Sequence, residues 1–181
     1  GMAQKKALEA FHGHIASLKF LDPACGCGNF LIIAYRELRK LELAVLQALH
    51  QDTATRVLDV ADLLQVSVDQ FAGIECDEFP ARIAEVAMWL TEHQMNMAVS
   101  HTFGHYYVNL PLKKAANIVH ANALLVAWES VVPPHELNYI LGNPPFIGAS
   151  TMRRALGDGY VDAVRSTWPE VPESADFVMH W

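Results

Sequence analysis

Four short apolar runs, separated by stretches of helical period, constrain this chain more than any other feature. They are LKFLD at 18–22, QFAGIE at 70–75, ANIVH at 116–120 and LNYIL at 137–141. Unbroken apolar runs of this length read as strands buried on both faces. Between them the period is helical. Ala7, Leu8, Phe11, Ile15 and Leu18 recur at helical spacing over residues 3–17, and residues 30–49 carry apolar side chains at 31, 34, 35, 38, 41, 45, 46 and 49. A further helical stretch is expected over 53–64. After Glu75, Asp77 and Pro80 suit the first turn of a helix, whose apolar positions Ile83, Val86, Ala87, Leu90 and Met97 continue to about residue 100. Strands alternating with helices predict an α/β fold, a parallel-rich sheet with helices on both faces. Right-handed crossovers then bring the carboxyl ends of the strands to one edge, where ligands bind.

Composition narrows the class. At 181 residues, 52% hydrophobic and 18% charged, the chain has the size and apolar content of one globular domain. No apolar run approaches the roughly 20 residues of a membrane span, and the first residues lack the pattern of a signal peptide. The Gly1-Met2 start reads as a tag scar and carries no weight for the fold. Of three cysteines, Cys25 and Cys27 share one glycine-rich turn and Cys76 stands alone, so neither a disulfide framework nor a zinc site is expected. A cytoplasmic protein without a metal follows from this pattern. The nine histidines show no H-E-x-x-H spacing and read as ordinary polar or interface residues. A net charge of -7 has the wrong sign for a surface that alone grips a phosphate backbone, leaving Lys113, Lys114, Arg153 and Arg154 as local basic candidates.

Each strand is followed by a distinctive loop. FLDPACGCGNFL at 20–31 sets glycines between a strand and a helix, where a ligand can approach the backbone and the free N–H groups of the helix start. The spacing Gly26, Gly28, Leu31 lacks the third glycine of the dinucleotide fingerprint. Glu75 ends the second strand, where an acid can accept from both hydroxyls of a ribose, although it could equally cap the next helix. Asn122, after the third strand, offers a donor and an acceptor to the polar edge of an adenine; a loop asparagine that satisfies backbone groups is the simpler reading of that residue alone. GNPPFIG at 142–148 follows the fourth strand. Its prolines fix the backbone and supply carbonyls without N–H groups, so the Asn143 side-chain oxygen and the Pro144 carbonyl can both accept from one exocyclic amine. Phe146 can stack on the ring that carries it.

These four elements in this order closely resemble the class I S-adenosylmethionine-dependent methyltransferases of the adenine-N6 type, marked by D-P-A-C-G-x-G-x-F and N-P-P-[FY]. The stretches FHGHIASLKFLDPACGCGNFLIIAYRELRKLE and AMWLTEHQMN resemble more narrowly the methyltransferase region of MmeI-type restriction-modification enzymes. The resemblance implies a Rossmann-like methyltransferase fold and S-adenosylmethionine as cofactor. Asp22, Pro23, Ala24, Gly26, Gly28, Asn29 and Phe30 would surround its methionine part. Glu75 would hold the ribose, with Cys76, Asn122 and Ala123 beside the adenine, and Asn143, Pro144, Pro145 and Phe146 would form the target-base pocket. The substrate implied is a flipped adenine of double-stranded DNA, and the implied partners are endonuclease and target-recognition domains of the same polypeptide. RNA or protein glutamine as substrate, or a non-catalytic cofactor-binding module, are the alternatives. Cys27 stands where serine is common and Asn122 where many relatives carry aspartate.

The expected division is an N-terminal helix at 1–17, a cofactor-binding and catalytic core at 18–148, and a polar loop with one short helix, near 173–181, over 149–181. The resemblance also implies more strands than these four and a segment that closes over the methionine end of the cofactor. An incomplete and inactive fragment is therefore expected, self-associating through an open strand edge and exposed Phe177, Val178 and Trp181.

Overall fold

The computed structural model describes residues 2–50, 63–103 and 116–181. Nearly all of the helical stretch expected over 53–64, together with Lys113 and Lys114, lies outside the described residues. α1 (Met2–Ser17) leads into β1 (Phe20–Asp22), α2 (Asn29–His50), β2 (Phe71–Glu75), α3 (Glu78–Phe103), β3 (Asn117–His120) and β4 (Tyr139–Ile140). Then come α4 (Ala149–Leu156) and α5 (Asp158–Thr167); single turns of 3-10 helix occur at Val68–Gln70, Trp128–Ser130 and Phe177–His180.

The strands form one parallel sheet in the order β3-β2-β1-β4. Phe20 lies opposite Phe71 on one side and Tyr139 on the other. The three rings stack across the strands, with centroids 4.8 Å and 5.3 Å apart. A one-residue slip would carry each ring to the other face, so this aromatic ladder pins the register. Among the described residues β4 pairs with β1 alone, and its Tyr139 and Ile140 are exposed.

Both faces of the sheet are covered, by different means. Phe20, Phe71 and Ile118 point to the face that packs under Leu31 and Tyr35 of α2 and Ala84 and Met88 of α3. The alternate residues Leu21, Ala72 and Ile74 point the other way, against Ala123, Val131 and Val132. The chain moves steadily outward from β1 to β2 to β3, and right-handed connections then put α2 and α3 on one face. The return from β3 to β4 crosses the opposite face. There the expected helical cover is one 3-10 turn, Trp128–Ser130, with loops around it.

α3 presents a different face to the core from the one its sequence pattern suggests. Ile83, Val86, Leu90 and Met97 are exposed, while Ala81, Ala84, Met88, Met95 and Val99 are buried. The helix is apolar around most of its circumference, so period alone does not choose a side. Close approach does, because a Cβ on Gly28 would stand 3.1 Å from the Ala84 Cβ, and a small residue is needed there.

Residues 149–167, expected as polar loop, form α4 and α5, and the helix expected near 173–181 is a single 3-10 turn. Both helices are short and mostly polar, with buried stripes of only Met152 in α4 and Val161 and Val164 in α5. These side chains join Leu124 and Phe177 in a separate apolar cluster. The expectation of exposed apolar side chains near the end is therefore corrected: Phe177 is 3% exposed, and Val178 and Trp181 are half-buried.

A polar cluster is buried between the helices. Glu42 Oε1 lies 2.9 Å from His12 Nε2 and accepts the backbone N–H groups of Gln65 and Val66. Arg39 Nε is 3.2 Å from Glu42 Oε2, and its other nitrogens donate to the Val66 carbonyl and Asn96 Oδ1. His12, read from the sequence as an ordinary polar residue, thus ties α1 to α2 in the interior.

Candidate active site

The carboxyl ends of all four strands open onto one cavity of about 580 Å³. Pro23 and Ala24 line it after β1, Ile74, Glu75 and Cys76 at the end of β2, Asn122 and Ala123 after β3, and Asn143 and Pro145 after β4. Three loops expected to converge from distant parts of the sequence do so, and the Asn-Pro-Pro turn meets them.

Glu75 organises this edge. Its Oε2 accepts the Gly26 N–H at 2.8 Å, and its Oε1 accepts the Asp77 N–H at 2.9 Å and the Cys76 thiol at 3.3 Å. The carboxylate therefore clamps the glycine loop to the start of α3; Oε1 already accepts two bonds, and the second lone pair of Oε2 remains available to a hydroxyl. Gly26 and Gly28 take positive φ, 53° and 82°, which lets the loop turn tightly beneath the cavity. Neither lines it. Asn29 and Phe30 are exposed at the start of α2 and also stand outside the lining.

Asp22 lies fully buried at the end of β1. Its Oδ1 accepts the Ala24 N–H at 3.0 Å, and its Oδ2 has no partner among the described residues. Burial pushes its carboxyl up to about 6, the charge of Glu75 adds to the rise, and the Ala24 bond opposes it. The GNPPF turn passes directly over this group: a Cβ on Gly142 would stand 2.6 Å from Asp22 Oδ1. Only glycine lets the end of β4 run so close to the first loop.

Asn122 is held at both ends, Oδ1 by the Leu124 N–H at 3.0 Å and Nδ2 by the Tyr160 hydroxyl at 2.9 Å. One amide hydrogen and one lone pair remain for a ligand. Pro144 is half-buried, and Phe146 is 76% exposed, its ring standing clear of the protein at the mouth of the turn.

A second wall went unread in the sequence. Ile147, Ala155, Leu156, Tyr160, Phe177 and Trp181 close the cavity on the side away from the glycine loop. The signal for it was faint: Met152 and Leu156 are four residues apart, as are Val164 and Trp168, and Val161 and Val164 are three apart. Trp168 Nε1 donates to the Leu124 carbonyl at 3.1 Å, which fastens this wall to the loop after β3. Glu75, Cys76 and Asp77 bring three metal-type donors within 4.8 Å, but the Glu75 oxygens already accept backbone bonds and burial pushes the Cys76 thiol up to about 11.

A parallel sheet whose central strand ends open onto a cleft, with a glycine loop after the first strand and an acid at the end of the second, belongs to the open α/β sheets, which bind ligands at the carboxyl ends of their strands. The model of the MmeI DNA-methyltransferase domain matches residues 1–181, and the chain belongs to that family. It is 40% identical over 151 residues, 81% of its length, to DNA methyltransferase A of Bacillus subtilis (strain 168), of which it spans 17%. A putative type II restriction enzyme and methyltransferase of Methanocaldococcus jannaschii is 29% identical over 87 residues, 48% of this chain and 7% of that protein. Among solved structures, the Type IIL restriction-modification enzyme MmeI in complex with DNA superposes with a TM-score of 0.89 at 47% identity, covering 98% of this chain and 23% of MmeI.

Proposed function

We propose that this chain is the cofactor-binding and catalytic core of an S-adenosylmethionine-dependent DNA methyltransferase that acts on the N6 amine of adenine within a restriction-modification polypeptide. The observation that carries the reading is the single cavity shared by the glycine loop, Glu75, Asn122 and the Asn-Pro-Pro turn. The donor set fits the cofactor. Asp22, next in sequence to the lining residues Pro23 and Ala24 but not itself in the lining, carries an acceptor, Oδ2, that has no partner among the described residues and suits a cationic group. Glu75 Oε2 keeps one lone pair for a ribose hydroxyl. Asn122 offers one donor and one acceptor to a purine edge, beside an apolar floor at Ile74 and Ala123.

S-adenosylmethionine, when bound, supplies a methyl group on a positively charged sulfur. The target base must leave the duplex to reach the cavity, at a cost of a few kcal/mol. Asn143 Oδ1 and the Pro144 carbonyl accept the two N–H bonds of its amine and hold the nitrogen lone pair in one direction. They also stabilise the positive charge that grows on that nitrogen, and prolines that fix the backbone make the arrangement preorganised. Phe146, exposed at the turn, stacks on the base. The names of the relatives favour DNA over RNA or protein glutamine. The same names support an endonuclease in the same polypeptide, and a target-recognition domain completes the proposal as the part that selects the DNA site.

The test is a chimera in which this chain replaces the matching part of MmeI. Incubated with labelled S-adenosylmethionine and DNA, it should yield N6-methyladenine on nucleoside chromatography. Label in cytosine, or none in DNA beside an active parent enzyme, overturns the reading. Asn143→Ala should lower methyl transfer at least a hundredfold, the scale of losing one transition-state hydrogen-bond partner, and leave cofactor affinity within twofold. Equal losses of both would make Asn143 a structural residue.

A further inference from the structure

The Asn122 amide and the Tyr160 hydroxyl meet in the cavity wall, and the chemistry of that contact leaves one hydrogen unassigned. The Leu124 backbone N–H is a donor only, so the amide end that faces it at 3.0 Å is Oδ1, which leaves Nδ2 facing Tyr160 at 2.9 Å. The Tyr160 oxygen therefore accepts. A phenol that accepts from an amide keeps its own O–H for another acceptor, and the bond it receives strengthens the one it gives. Among the described residues the Tyr160 hydroxyl makes no other hydrogen bond.

The position of that hydroxyl is fixed by packing. Val161 and Val164, on the same helix, are buried with Leu124 and Phe177, and Trp168 Nε1 holds the Leu124 carbonyl. The Tyr160 ring itself lies 6.2 Å from that of Phe177, centroid to centroid. The surroundings in the cavity are apolar, with Ala123, Leu156 and Phe177 beside it, a setting for a flat aromatic ring rather than for a charged group.

We propose that Tyr160 is a nucleobase-binding residue: its O–H donates to a ring nitrogen of the adenine moiety of the cofactor, while Asn122 both polarises that hydroxyl and reads the adjacent purine edge. This rests on the reading of the cavity as an adenosyl-cofactor site. It assigns a base-recognition role to α5, the second helix after the Asn-Pro-Pro turn, so that both walls of the cavity take part in recognising the cofactor.

The experiment measures, by calorimetry on the chain, the binding of S-adenosylhomocysteine and of three analogues in which CH replaces N1, N3 or N7 of the purine, to the wild type and to Tyr160→Phe. The variant keeps the ring and loses only the hydroxyl. It should bind S-adenosylhomocysteine about three- to tenfold more weakly, the range for one neutral hydrogen bond. One analogue should weaken wild-type binding by a similar factor and bind the wild type and the variant equally, because the bond is already gone. The other two should keep the full penalty of the variant. Equal affinity of the wild type and Tyr160→Phe for S-adenosylhomocysteine overturns the proposal. So does the same penalty with all three analogues, which is the signature of a hydroxyl that merely supports Asn122. If the wild type binds none of the four compounds, the cofactor reading falls and takes this inference with it.

Discussion

Asp22 carries a fully buried carboxyl, with one oxygen bound to the Ala24 N–H and the other without a partner among the described residues. Burial holds its pKa at about 6 in the ligand-free protein. Above that pH the group is a buried, uncompensated anion, a state costly by itself and suited to a cationic ligand. A cofactor whose cation sits against Asp22 must displace the proton as the pH falls. Affinity for S-adenosylmethionine should accordingly be flat above about pH 7 and drop by up to about tenfold per unit below 6, while Asp22→Asn should bind weakly with no such slope. Parallel calorimetric profiles for the two proteins would remove Asp22 from the site. The same shift fixes the sign of its effect on folding. The folded pKa lies above the ordinary 3.8, so the contribution to stability is fully present below about pH 4 and is lost as the pH rises through about 6. Without ligand, Asp22→Asn should therefore melt above the wild type at pH 7 and close to it at pH 4. Gly142 sharpens the picture, since any side chain there would press on this carboxylate from above.

The long elements show where sequence reading works and where it stops. β1, β2 and the loops after them were legible because a buried strand is a compact run of apolar residues and each ends at a polar residue or turn with a chemical purpose. α2 was legible too, but two of its buried residues were not: Arg39 and Glu42 are spaced like a surface ion pair, and nothing in the sequence says that His12 and Asn96 close around them. α3 misled because its outer stripe, with Val86 at 57% exposure and Leu90 at 46%, is more apolar than the alanines that pack. α4 and α5 were missed because a helix of 8 or 10 residues shows barely two turns of period. The buried cluster makes the sharpest prediction at this scale. Glu42→Ala leaves the Arg39 guanidinium and the Gln65 and Val66 N–H groups without their shared acceptor, and breaking a buried pair in this way costs about 3 to 5 kcal/mol. Chemical denaturation should show a loss of that size, with cofactor affinity of the folded fraction unchanged because the cluster does not line the cavity. A loss below about 1 kcal/mol, the level of an exposed pair, would mean that water reaches it.

In the whole molecule the cavity is the place where otherwise separate units meet. One apolar cluster lies beneath α2 and α3, a second on the opposite face of the sheet, and a third holds α4, α5 and the last turn; Trp181 packs against the second and third and also lines the cavity. Its indole N–H is buried with no partner among the described residues. A ligand that fills the cavity therefore touches the strand ends and the C-terminal wall together, and its binding energy stabilises their association as well as the fold. S-adenosylhomocysteine at about 100 times its dissociation constant adds about 2.7 kcal/mol. For a chain of this size that raises the melting temperature by about 5 to 10 °C. Hydrogen exchange should slow together at the backbone amides of 122–126 and of 158–181, since Trp168 and Tyr160 join these segments. Tryptophan emission should change on binding, and Trp181→Phe should remove most of that change while keeping most of the thermal shift. Protection confined to the glycine loop and the Glu75 region, with the C-terminal amides exchanging as before, would show that the wall formed by α4 and α5 stands apart from the ligand and takes no part in the site.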